Sequence, residues 1–169
     1  MQYILQSMRF CYPDMMKFER NESAGYLANR LGRLFTRALH QEIEPFGLAP
    51  AQFTTMVEIW RDPGVTQRLL VERLGVEQGT MTNTLARMER DGFIERRPHE
   101  TDGRSHSLHL TDKAMAVLEP AIAGAITANE AALSCLSGEE RRQFLEMTRR
   151  VIDSLRAHVS ETMQATKAN

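Results

Sequence analysis

Between Ser23 and Phe46 the apolar residues Ala24, Leu27, Ala28, Leu31, Leu34, Phe35, Ala38 and Leu39 recur at three- and four-residue intervals, the period of an amphipathic helix. Arg30, Arg33 and Arg37 lie off that stripe and read as a solvated face. Pro45, Gly47 and Pro50 end this helix and restart a second, with Pro50 suited to a first helical position. Phe53, Met56, Val57 and Trp60 are expected to form its buried face. Arg61-Asp62-Pro63-Gly64 reads as a turn. Thr66 is the expected cap of a short third helix that points Leu69, Leu70 and Leu74 inward, and Gly75 permits the sharp reversal that follows. A fourth helix begins near Glu77, buries Met81, Leu85 and Met88, and ends at Asp91-Gly92.

After Gly92 the period shortens toward two. Phe93 to Pro98 predicts one strand, and Ser105 to Leu110 a second in which Leu108 and Leu110 share a face. The polar loop His99 to Arg104 makes the pair a projecting hairpin. Thr111 then caps a long helix carrying Met115, Leu118, Ile122, Ala125, Ile126 and Leu133, with a kink expected at Pro120, whose ring removes a backbone bond. Ser137 and Glu140 have capping-box spacing. Beyond them Phe144, Met147, Val151, Leu155 and Val159 fall three and four apart, a narrow seam that needs a partner helix.

The pattern is a mainly α fold: a helix-turn-helix with a small β-hairpin wing between long terminal helices. It divides into an N-terminal arm (1–22), flanking helices (23–48 and 111–160) around a winged helix-turn-helix (49–110), and a tail (161–169). With 169 residues, one domain plus an arm is expected.

Charge adds a constraint. Lys and Arg number 21 against 22 Asp and Glu, a net −1, so no basic footprint advertises a nucleic-acid partner, and any such contact rests on where individual arginines point. Chemistry of other kinds finds little support. The five histidines are scattered, and His106 and His109, three apart on a strand, point to opposite faces. There is no phosphate loop, nucleophile elbow or HExxH pattern. No catalytic residue, metal or cofactor is expected. Cys11 and Cys135 form no CxxC pair, so neither a disulfide framework nor a cysteine zinc site is supported. No apolar run approaches the roughly 18 residues of a membrane span, and the first residues lack the layout of a signal peptide. A cytoplasmic protein without a membrane partner is the expectation.

The fourth helix carries the most specific surface. With Met81 set inward, steps of about 100° per residue place Gly79, Asn83, Ala86 and Arg90 near the opposite meridian, flanked by Thr82 and Arg87. Small residues at the centre allow the backbone to approach a groove floor. Asn, Thr and Arg beside them supply hydrogen bonds to base edges and phosphates. Gln78 and Thr80, in the first turn, complete the expected contact set. On the wing, adjacent Arg96 and Arg97 point oppositely, and Arg97 is assigned to the DNA side. At the tip Asp102 can brace Arg104 for a narrow, electronegative minor groove.

The helix order, together with the segment LVERLGVEQGTMTNTLARMERDGFIERRPHETDGRSHSLHLTDKA, resembles the MarR family of winged helix-turn-helix regulators over roughly Ser23 to Val159. The specific part is a recognition helix ending in LxRMExxGxIxR, then a DxR wing and LT, here Asp102, Arg104, Leu110 and Thr111. The resemblance implies a homodimeric transcription factor, usually a repressor, that binds double-stranded DNA and pairs through its terminal helices. Phe144, Met147, Val151, Leu155 and Val159 are the expected seam. It also implies a small-molecule effector, often aromatic, for which Tyr26, Arg30, Phe53, Met56 and Trp60 are the candidate lining. Asn83 stands where many relatives carry Arg, and Gly25 where a peroxide-sensing branch carries a reactive cysteine. Two other readings remain: a thiol-based sensor through Cys11, and a helical protein-interaction module that keeps the fold without an operator.

Overall fold

The computed structural model describes residues 19–98 and 106–167. Helices α1 (Ala24–Ile43), α2 (Pro50–Arg61), α3 (Gln67–Leu74) and α4 (Gln78–Arg90) precede strands β1 (Ile94–Pro98) and β2 (His106–Leu110), which lead into α5 (Asp112–Ala132) and α6 (Gly138–Lys167). The chain forms two compact units, one reaching Asn129 and the other beginning at Glu130.

Local chemistry sets the boundaries. The Ser23 hydroxyl accepts the Tyr26 N–H at 3.3 Å to start α1. Its end differs from the continuous helix expected to Phe46: the last turn, Glu44–Phe46, tightens into a 3-10 turn. Pro45 has no N–H for the α ladder, and Gly47, at φ 71, reverses the chain. Thr66 caps α3 through Leu69 N–H at 3.4 Å. Gly75, at φ 63, closes α3 by donating to the Val71 carbonyl at 2.9 Å, which makes the α3–α4 turn as tight as a helix-turn-helix requires.

The wing pairs Ile94 with Leu110 and Arg96 with Leu108 in antiparallel register. Val65 and Gly64 extend it by a short third edge, since Leu108 N–H donates to the Val65 carbonyl at 3.1 Å and Gly64 N–H to the Leu108 carbonyl at 2.9 Å. Thr111 couples wing to helix: its hydroxyl donates to the Gly92 carbonyl at 2.7 Å and accepts Ala114 N–H at 3.2 Å to cap α5.

One core holds this unit together. Met56 and Ile59 of α2, Leu70 of α3, Met81, Leu85 and Met88 of α4, Leu108 of β2 and Leu118 of α5 are all buried, each contributing about 1.5–3 kcal/mol of transfer free energy. One expected core position is corrected: Trp60 is 49% exposed. Phe53 and Met56 are buried as expected, and Gln52, Thr55 and Ile59 complete the inward face of α2, which is therefore turned toward those residues and away from Trp60. Gln52 is buried although polar because its side-chain amide is hydrogen-bonded at both ends. α1 packs closely on α5 at Gly124, where a Cβ would lie 3.0 Å from the Glu42 Cβ. α5 continues through Pro120.

In the second unit Ser137 and Glu140 form the expected capping box, with Ser137 N–H donating to Glu140 Oε2 at 2.8 Å and Glu140 N–H to Ser137 Oγ at 3.3 Å. The Ser137 N–H foremost, and then the Ser137 hydroxyl, which donates to the same Oε2 at 2.7 Å, hold the Glu140 carboxyl below its ordinary pKa. α6 then runs to Lys167, past the expected end at 160. No helix among the described residues is long and apolar enough to cross a membrane.

Candidate nucleic-acid interface

α4 is anchored on one side only. Met81, Thr84, Leu85 and Met88 are buried, and the Thr84 hydroxyl is spent on the Thr80 carbonyl at 2.9 Å. The other side lies open: Gln78, Gly79, Thr80, Thr82, Asn83, Ala86, Arg87 and Arg90 are all exposed, and a Cβ at Gly79 would meet only open space. All eight candidate residues of this helix therefore share one accessible face. Among the described residues the side chains of Asn83 and Arg87 have no partner, so their donors are available to a ligand. Arg90 donates to its neighbour Asp91 at 2.9 Å.

Asp91 closes the helix and joins three elements. Gln52 Nε2 donates to its Oδ2 at 3.2 Å, while Gln52 Oε1 accepts Ala49 N–H at 2.9 Å. Lys113 of α5 donates to the Asp91 carbonyl at 2.7 Å and lies 4.9 Å over the Phe93 ring. The Arg90 hydrogen bond foremost, then that of Gln52 and the nearby positive charges, hold the Asp91 carboxyl below its ordinary pKa against a smaller opposing effect of desolvation.

The wing separates its two arginines as alternation requires. Arg96 follows buried Ile94 on the inner face, and its Nε lies 3.0 Å from Glu89 Oε2 of α4. Arg97 is exposed on the other face and engages Glu95. Asp102 and Arg104 lie outside the described residues. Sequence reasoning passed over two residues at the start of α3. Gln67 donates to Thr82 Oγ1 at 2.8 Å. Arg68 is exposed with no partner among the described residues. Their signal was the Thr66 cap, which fixes them as the first two residues of α3.

The other candidate sets separate. Of the proposed effector lining, Met56 is fully buried and Phe53 nearly so, Tyr26 is half-buried, and Arg30 and Trp60 are exposed. A groove of about 890 Å³ on α1, lined among others by Arg33, Arg37, His40 and Pro50, includes none of the five. Along α6, Met147, Val151, Leu155 and Val159 are each more than half exposed, while Phe144 is half-buried. Leu27, Leu31 and Leu34 of α1 are exposed as well. Among the described residues no cluster of His, Cys, Asp and Glu is placed to hold a metal.

A short helix pair meeting at a left-handed glycine, an exposed second helix and a hairpin wing define a winged helix-turn-helix protein. The model of the MarR family matches residues 48–106. The HTH-type transcriptional regulator BilQ of Clostridium symbiosum (strain WAL-14163) is 29% identical over 125 residues, covering 74% of this chain and 87% of its own. The transcriptional regulator HosA of Escherichia coli O111:H- is 31% identical over 107 residues, covering 63% and 79%. The crystal structure of the PcaV transcriptional regulator from Streptomyces coelicolor in complex with its natural ligand is 25% identical with a TM-score of 0.74, covering 82% of this chain and 97% of PcaV. The chain belongs to the MarR family and is a transcriptional regulator of that family.

Proposed function

We propose that the protein is a homodimeric repressor that binds a pseudo-palindromic operator and is released by a small, often aromatic, ligand. The observation that carries this reading is the α4 face, where Gly79 and Ala86 flank Asn83 with no bulk between backbone and groove. α4 enters the major groove. Asn83 and Arg87 offer unspent donors to base edges and phosphates, and Thr82 and Arg90 stand beside them. Arg97, with Asp102 and Arg104 at the wing tip, follows the adjacent minor groove.

Dimerisation draws support from the exposed apolar residues of α6, whose spacing suits a seam against a second copy. Two copies present two reading helices and therefore ask for half-sites about one helical turn apart. The effector reading draws support from PcaV, a family relative crystallised with its natural ligand. Tyr26, Arg30 and Trp60 are the candidate residues with surface to offer one. An operator as partner places the protein in the cytoplasm with the chromosome. Neither a metal nor a catalytic group has a part in this scheme.

Fluorescence anisotropy with duplex DNA from upstream of the protein's own gene tests the proposal. Saturable binding that competitor DNA of unrelated sequence does not displace is the expected result. Binding no tighter than to unrelated DNA would leave a helical protein-interaction module as the better account.

A further inference from the structure

We propose that Glu95 masks the charge of Arg97 on the wing until α4 is seated on its operator, and so sharpens the discrimination between operator and unrelated DNA. The inference rests on the reading of α4 and the wing as the DNA face.

The arginines from the end of α4 through β1 each pair with a carboxylate of their own chain. Arg90 meets Asp91 at 2.9 Å and Arg96 meets Glu89 at 3.0 Å. Arg97 gives Glu95 both its Nε, at 2.9 Å, and its Nη2, and the two bonds fall on one oxygen, Oε1. Asp91 also serves Gln52, and Arg96 lies on the inner face of the hairpin. Glu95 and Arg97 instead stand two residues apart on the outer face of β1, both exposed. A pair this open to water contributes little to the fold. It does cancel the charge that the wing shows to a phosphate, because the two groups lie much closer together than the Debye length of about 8 Å at physiological salt.

The cancellation weighs unequally on the two kinds of DNA. Unrelated duplex offers mainly its phosphates, and a loosely held backbone leaves the pair intact. On the operator the base contacts of α4 fix the register and hold the backbone against β1, where Arg97 exchanges the Glu95 carboxylate for a phosphate. Arg97 thus counts toward operator affinity and not toward attachment elsewhere. Glu95 is a positioning residue, acting through Arg97.

The test is anisotropy titration of full-length wild type, Glu95→Gln, Arg97→Ala and the double variant on two duplexes, the sequence that wild type enriches from a randomised pool and an unrelated one, over a range of salt. Glu95→Gln frees one arginine per subunit, two per dimer, and should steepen the logarithmic salt dependence on the unrelated duplex by about 1.8, at about 0.9 for each phosphate contact. Its advantage over wild type there should shrink about tenfold between about 50 and 200 mM salt, and at low salt should exceed its advantage on the enriched sequence. Arg97→Ala should weaken binding to the enriched sequence more than to the unrelated one, and the steepening should be absent from the double variant. Circular dichroism checks that each variant keeps the fold. An unchanged salt dependence in Glu95→Gln, equal gains on both duplexes, or a steepening that persists in the double variant and marks Glu95 as a plain repulsive charge would each overturn the inference while leaving the assignment of α4 in place. If the wild type enriched no sequence at all, the DNA-reading assignment of α4 would fall, and this inference with it.

Discussion

Gln52 of α2 donates its side-chain amide to Asp91, the residue that closes the recognition helix, across 3.2 Å. Gln52 is 6% exposed and also receives the backbone N–H of Ala49, so one buried amide fixes both the start of α2 and the end of α4. Gln52→Leu keeps the volume and removes both bonds, leaving Ala49 N–H and an Asp91 oxygen without this partner. A typical intramolecular hydrogen bond contributes about 0.5–1.5 kcal/mol net. Urea denaturation should show a loss in that range, and a variant as stable as wild type would show that water already serves these groups.

The Asp91 carboxyl is held below its ordinary pKa, by Arg90 first. A carboxylate with a depressed folded pKa stabilises the fold above its unfolded pKa, and that contribution disappears as pH falls through the folded value. Wild type should therefore exceed Asp91→Asn in urea midpoint at pH 7, and the gap should narrow below about pH 4. A gap independent of pH down to 3 would assign the difference to packing rather than charge.

Gly124 of α5 faces Glu42 of α1, with the Glu42 carbonyl 3.2 Å from the place a Cβ would take. Gly124→Val should push the helices apart at a cost of about 1–3 kcal/mol. Thermal unfolding checks this. An unchanged midpoint would mean that the contact relaxes without strain.

Along α6 the exposed Val151 and Leu155 are the centre of the proposed seam. Replacing both with Asp should convert a dimer to a monomer in sedimentation equilibrium and abolish tight operator binding, because each subunit alone carries one reading helix. A double variant that stayed dimeric would move the interface elsewhere.

On the α4 face, Asn83→Ala should relax base preference at one operator position by about 1–3 kcal/mol while leaving the others intact. Measured on single-base operator variants, an equal loss on every sequence would assign Asn83 to phosphates.

Much of this fold was legible in the sequence because local chemistry sets its boundaries: Thr66, Gly75, Gly92 and the Ser137–Glu140 pair act within one turn of themselves. The open face of α4 followed from the same logic, since burial of Met81, Leu85 and Met88 leaves little freedom to the other side. On α2 periodicity placed Phe53 and Met56 inward but passed over Gln52, whose bonds to Ala49 and Asp91 make burial of a polar side chain favourable. With Gln52, Thr55 and Ile59 inward as well, Trp60 is turned out. The Gln67–Thr82 bond spans fifteen residues and depends on how two helices meet, which spacing along the chain does not encode.

The central claim is that the exposed face of α4 meets DNA, and Ala86 at its middle tests it most directly. Ala86→Glu adds bulk and negative charge there without touching the core. Anisotropy titration of wild type and variant on duplex DNA from upstream of the gene, with circular dichroism and sedimentation confirming an intact fold and the wild-type oligomeric state, should show tight binding for wild type and none for Ala86→Glu. Equal affinity in the two proteins would contradict the account.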